Sequence, residues 1–244
     1  MIQKIVYINK EENEDTIPRR RHNKKEVETK KPLFNFNELE FDKFNVLIGK
    51  NGSGKSSIIS GMYANFIHDD TGCAVTRKSV NGHFRTCGEH LSILYDEPTE
   101  LALFTAREDN GKYRGYLDGD VTTDVACLFA SEGQSNKISF GAFITKLGQK
   151  VRQNPDKHVT LLIDELESGL SPNVIREVMF ALSFISGVEK NMQIILSTNN
   201  WESLNSLLKV KLGDSKFEYS IIDVSKGEQI QCPASYNDFY KLYE

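Results

Sequence analysis

Apolar residues fall into short blocks separated by polar stretches along the whole chain. Residues 2–8 are rich in β-branched and aromatic side chains, which predicts a short strand. Residues 11–32 are strongly charged, with Arg19, Arg20, Arg21, Lys24, Lys25, Lys30 and Lys31 crowded together, and predict an arm rather than core. Residues 33–48 predict strands, the last over 45–48. A glycine-bearing loop occupies 49–54, and a helix is predicted from 55 to about 67. Residues 69–89 are polar and irregular. Strands are predicted at 91–95 and 101–106, with a turn at Asn110-Gly111, and a helix at 135–153. Residues 159–163, apolar except for Thr160, predict a buried strand, as do 193–196. Between them, 172–186 has the spacing of an amphipathic helix. Residues 217–222 and 228–231 predict strands paired across Lys226-Gly227, and 235–243 a helix. No element is predicted over 201–216, and no internal repeat is present.

Alternating strands and helices in a chain of 244 residues predict one large α/β domain, or one domain with a lid. A hydrophobic share of 39% and a charged share of 26% are those of a soluble globular protein. The net charge of −4 gives no global pull towards nucleic acid, although local basic patches exist. No apolar run approaches the ~18 residues needed to span a bilayer. The first residues turn polar too early for a signal peptide. Cys73, Cys87, Cys127 and Cys232 include no close pair, so reduced thiols in a cytoplasmic protein are expected.

Candidate chemistry begins with NVLIGKNGSGKSSII, residues 45–59. Gly49, Gly54, Lys55 and Ser56 satisfy G-x-x-x-x-G-K-[ST]. Glycines let the backbone wrap phosphates with its N–H groups inward, and the helix beginning near Lys55 adds its positive dipole end. Lys55 is suited to the β- and γ-phosphates, and Ser56 to Mg²⁺. Asn51, Gly52, Ser53 and Ser57 complete the candidate nucleotide-binding stretch. A chance match is the competing reading, and the strand-loop-helix context argues against it.

The second piece is HVTLLIDELESGLSP, residues 158–172. A buried strand there ends in two acids, Asp164 and Glu165. Asp164 is suited to hold Mg²⁺, directly or through water. Glu165 is suited to orient or deprotonate an attacking water. The competing reading is a strand end with two solvated acids.

The segment IDELESGLSP resembles the acidic strand and following loop of ABC-type ATPases, with Leu166 where proline is common. Ser168, Gly169 and Leu170 match that loop. The resemblance implies a signature between the two nucleotide motifs, and FASEGQS supplies Ser131, Gly133 and Gln134 ahead of a predicted helix. A serine and backbone amides at a helix start form a second anion site. In this family that site faces the γ-phosphate held by another subunit. The resemblance therefore implies an ABC-type head of the P-loop NTPase superfamily: an α/β fold with a mixed sheet core and a small helical lid. The cofactors implied are ATP and Mg²⁺, and the partner a second copy joined through an ATP sandwich. The chain reads as a single such domain over 1–244, with the lid at approximately 112–155 and the basic arm at approximately 11–32.

Two departures bear on turnover. The family usually carries a glutamine between the phosphate loop and the signature, and none stands between Ser57 and Glu132. Asp96 is a candidate substitute near Mg²⁺. The family's switch histidine is replaced by Asn199, which can donate a hydrogen bond to a γ-phosphate but cannot shuttle a proton. ATP binding with slow hydrolysis is the resulting expectation.

The missing glutamine and the form GKSS resemble the SMC/RecF-like stand-alone heads, which act on DNA, in repair, or in prokaryotic and phage conflict. The alternatives are the energy-coupling subunit of an ABC transporter and an ATP-sensing regulator that never hydrolyses. A partner effector protein and DNA are the candidate outputs. Residues 18–31 read as a phosphate grip for DNA or as a solvated arm. Cys73, His83, Cys87 and His90 read as a zinc knuckle or as an ordinary polar loop. Tyr236, Phe239, Tyr240 and Tyr243 read as a helix docked on the sheet or as a partner surface.

Overall fold

The computed structural model describes residues 1–7, 34–71, 91–95, 99–105, 132–167, 170–214, 216–231 and 235. The basic arm, Cys73, His83, Cys87, His90, Asp96, the Asn110-Gly111 turn, Ser131, Ser168, Gly169 and the C-terminal aromatic residues lie outside them.

Nine strands and four helices are described: β1 (Ile2–Tyr7), β2 (Glu38–Glu40), β3 (Phe44–Ile48), α1 (Lys55–Thr71), β4 (Leu91–Tyr95), β5 (Thr99–Thr105), α2 (Glu132–Gln153), β6 (His158–Asp164), α3 (Pro172–Val188), β7 (Met192–Ser197), α4 (Trp201–Gly213), β8 (Ser220–Asp223) and β9 (Glu228–Gln231). They form the expected α/β fold with a mixed sheet. The main sheet has the order β5-β6-β7-β3-β8-β9. Its first five strands run parallel, and β9 turns back antiparallel on β8. A second sheet, β2-β1-β4, is antiparallel.

The continuous apolar runs of the central strands follow from burial on both faces. Phe44, Val46, Leu161, Ile163, Ile194, Leu196 and Ile221 point into a core shared with α2, α3 and α4. Their neighbours Leu47, Leu162, Ile195 and Ile222 point the other way, into a core shared with α1 and the small sheet. On the first side Phe143 of α2 is fully buried, its ring centroid 5.5 Å from that of Phe104. Truncating such a ring to alanine typically costs about 3–5 kcal/mol.

Three elements differ from the sequence expectation. Helix α4 was not anticipated. It is capped by the Asn200 side chain, which accepts from the Glu202 amide, and it buries Leu204, Leu207 and Leu208 at helical spacing. Residues 217–219 precede the strand β8 rather than belonging to it. Phe217 and Tyr219 are buried and stacked at 5.6 Å, so their aromatic signal marked core packing, not ladder pairing. Helix α2 begins at Glu132, one turn earlier than the apolar periodicity indicated.

Candidate functional site

The parallel strands place their C-terminal ends along one edge of the sheet, where α/β proteins hold their ligands. β7 lies between β3 and β6. Its register sets Leu47 of β3 opposite Ser197, and Ile163 of β6 opposite Leu196. Three strand ends thus converge: Gly49 after β3, Asp164 at the end of β6, and Ser197 at the end of β7.

Residues 49–54 turn from β3 into α1. Gly49 has φ 140° and Gly54 φ 100°, conformations that favour glycine. Space excludes a side chain at Gly49 as well, because a Cβ there would stand 2.6 Å from Ser225 Oγ and 2.8 Å from Ser53 Oγ. The turn joining β8 to β9 braces the loop from outside. Ser225 Oγ accepts from the Lys50 amide at 3.0 Å, and the Ser225 carbonyl accepts from Asn35 Nδ2 at 3.0 Å. Ser225 is itself fixed by its own amide, which donates to Asp223 Oδ1 at 2.8 Å.

Lys55 is buried, and its Nζ donates to the carbonyls of Gly49 at 2.7 Å and Lys50 at 3.2 Å. Burial lowers its pKa below the ordinary lysine value. Glu165, Asp164, Glu167 and Asp223 oppose that shift, in that order, without overcoming it. An anion brought against an ammonium held in this way would offset part of its desolvation cost.

Ser56 Oγ donates to Asp164 Oδ1 at 3.0 Å across 108 residues of sequence. Ser197 Oγ donates to the same oxygen at 2.6 Å and accepts from the Glu165 amide at 3.0 Å. Glu165 has φ 49°, the one non-glycine residue with positive φ among those described. A left-handed conformation costs a side-chain-bearing residue about 1–2 kcal/mol, so this strain sits on the candidate catalytic acid. Asn199 is held on two sides. Its Nδ2 donates to Asn51 Oδ1 at 3.1 Å, and its amide donates to Glu167 Oε1 at 2.6 Å.

The residues fit a nucleotide with Mg²⁺. Ser53 Oγ is buried inside the loop with no hydrogen-bond partner among the described residues, an acceptor and donor awaiting a ligand oxygen. Ser56 and Asp164 offer hard oxygens side by side, the donor type Mg²⁺ prefers.

Asn51, Gly52, Ser53, Gly54, Lys55, Ser56, Asp164, Glu165 and Asn199 are thus brought to one edge, with Ser57 following in the first turn of α1. Gly133 and Gln134 lie in the first turn of α2, where Gln134 is exposed, and Ser131 lies outside the described residues. Sequence reasoning missed Ser197, Glu167 and Ser225. The polar end of the strand MQIILS marked Ser197. Nothing local marked Ser225, which meets the loop from 175 residues away. Among the described residues no cluster of histidine, cysteine and acids could hold a metal in the manner of a zinc site. No described helix is long and apolar enough to cross a membrane.

No family model matches the chain, and no curated protein sequence matches it. Solved structures do. A dimeric ATP-binding cassette in a post-hydrolysis state, bound to ADP and Pi, is 15% identical, with 81% of this chain and 89% of that one covered and a TM-score of 0.40. A nucleotide-free ATP-binding cassette from an ABC transporter is 9% identical, with 100% and 95% covered and a TM-score of 0.42. CbiO1 from Clostridium perfringens, part of the ABC transporter complex CbiONQ, is 14% identical, with 85% and 83% covered and a TM-score of 0.38. At these identities and scores none of the three assigns a role to any residue of this chain.

Proposed function

We propose that this chain is an ABC-type ATPase head that binds ATP with Mg²⁺, hydrolyses it slowly, and uses the cycle to switch a partner. The observation that carries this reading is the 3.0 Å hydrogen bond from Ser56 to Asp164, which joins the phosphate loop to the acidic strand end. Mg²⁺, when bound, supplies charge neutralisation between phosphate oxygens. The protein's own groups do the rest. Backbone amides of the loop and of the start of α1 bind phosphate charge, and Lys55 adds a buried cation. Ser56 and Asp164 would hold the metal. Glu165 accepts a proton from water, its orientation fixed by the bond from its amide to Ser197. Asn199 donates a hydrogen bond towards the terminal phosphate and offers no proton shuttle, which favours slow turnover.

Two copies would clamp two nucleotides, each between Lys55 of one copy and Ser131, Gly133 and Gln134 of the other. DNA or an effector protein would read out the closed dimer. The absence of glutamine between Ser57 and Glu132 supports a stand-alone head of the SMC/RecF-like kind, in repair or conflict, over the energy subunit of a transporter. The replacement of histidine by Asn199 supports a second reading, an ATP-binding regulator without turnover. A cytoplasmic location fits either. Fluorescent-nucleotide titration together with phosphate release tests the proposal. Binding that Lys55→Ala abolishes supports the site, and release that Glu165→Gln abolishes supports the enzyme. Undiminished affinity in Lys55→Ala removes the assignment.

A further inference from the structure

Glu167 has no part in the phosphate-loop, metal or general-base roles above, yet it meets the site. It follows the acidic pair by two residues, and one of its carboxylate oxygens, Oε1, accepts the Asn199 amide at 2.6 Å. The other, Oε2, is buried with no hydrogen-bond partner among the described residues. A buried carboxylate oxygen without a partner is costly, whereas the paired oxygen satisfies the Asn199 amide. The bond is short and charge-assisted, so it fixes the backbone of Asn199 more firmly than a neutral pair would. Fixing that backbone fixes the side chain, and Asn199 Nδ2 reaches Asn51 in the phosphate loop at 3.1 Å. A chain of contacts therefore runs from Glu167 through Asn199 to Asn51.

We propose that Glu167 is a positioning residue that aims Asn199 at the terminal phosphate, and so sets the preference of the site for a nucleoside triphosphate over a diphosphate. The inference rests on reading residues 49–56 as a nucleotide site. Glu167 touches no ligand itself. It acts through the Asn199 amide, and only an acceptor oxygen at this place is needed. Glutamine keeps that oxygen; alanine and leucine do not.

The test measures the affinities of the full chain for Mg–ADP and for a non-hydrolysable Mg–ATP analogue, whatever its turnover. Glu167→Ala should lower the triphosphate-over-diphosphate preference by about fivefold or more, the loss of one charge-assisted bond, with ADP affinity unchanged. Glu167→Leu, which keeps the buried volume, should do the same if the alanine variant fails to fold. Glu167→Gln should retain the parent preference. Asn199→Ala should lose it, and the double variant with Glu167→Ala should lose no more than the worse single. An unchanged preference in both Glu167→Ala and Glu167→Leu, a glutamine variant as poor as they are, additive losses in the double variant, or a parent that binds both nucleotides equally overturns the inference. A parent that binds neither nucleotide, indistinguishable from Lys55→Ala, overturns the reading of the loop itself.

Discussion

Ser197 and Asp164, at the ends of neighbouring strands, share a hydrogen bond of 2.6 Å, and the same Ser197 hydroxyl receives the amide of Glu165. One hydroxyl thus orients both acids of the candidate site. Ser197→Ala removes two bonds from a buried position, so it should destabilise the fold by about 1–3 kcal/mol. It should also weaken Mg²⁺-dependent nucleotide binding, because Asp164 loses the shorter of the two hydroxyl donors that aim it. Denaturant unfolding and a Mg²⁺ titration of nucleotide affinity check the two parts. Unchanged stability and metal dependence would return Ser197 to an incidental contact.

The pH dependence of binding follows from Lys55. Burial lowers its pKa below 10.5, so the empty site releases the ammonium proton earlier than an exposed lysine does. Phosphate charge favours the protonated form and raises the pKa again. Between the lowered value and the value with nucleotide bound, binding therefore takes up a proton, and affinity should fall as pH rises through that interval. For the empty protein the sign is opposite. The unfolded chain holds the proton that the folded chain has released, so this group's contribution to stability grows as pH climbs towards 10.5. Calorimetric titration of the parent chain in buffers of different ionisation enthalpy measures the proton taken up, and no uptake anywhere in that interval would remove Lys55 as its source.

Glu165 separates stability from activity. Its left-handed backbone is strained, and glycine adopts that conformation without strain. Glu165→Gly should raise stability by about 1 kcal/mol, an increase of roughly 2–4 °C in Tm for a chain of this size, while phosphate release is lost. A lower Tm in that variant would show that the side chain, not the backbone, sets the local energetics.

Glu165→Gln should instead trap the loaded state. The amide keeps the shape of the carboxylate but accepts no proton from water. Nucleotide shared between two copies then holds them together, and the dimer fraction rises with ATP concentration. Light scattering with and without Mg–ATP reads this out, with Ser131→Arg expected to stay monomeric. One ATP-independent mass for the parent and both variants would exclude the shared-nucleotide arrangement.

The strands and the loop could be read along the chain because their signals are local. Gly49, Gly54, Lys55 and Ser56 stand within eight consecutive positions, and the run ending in Asp164 and Glu165 declares both its burial and its polar edge. Ser197 was half visible, as the polar end of an apolar strand. Its role depends on β7 lying between β3 and β6, a strand order that no local pattern encodes. Glu167 and Ser225 were invisible for the same reason, since their partners Asn199 and Lys50 are distant in sequence. Helix α4 was overlooked because its apolar stripe is short, although Asn200 marked its start.

The brace from Ser225 to Lys50 has a consequence for the order in which the protein is made. The two residues are 175 positions apart, so the phosphate loop leaves the ribosome well before the turn that supports it. At the usual pace of synthesis the delay is about 10–35 s. During that time the loop has its full sequence but lacks the acceptor that fixes its Lys50 amide. The ability to hold a nucleotide should therefore arrive late and abruptly, once β8 and β9 have paired beside β3, and a nascent chain stalled before Ser225 should not yet compete for the cellular nucleotide pool.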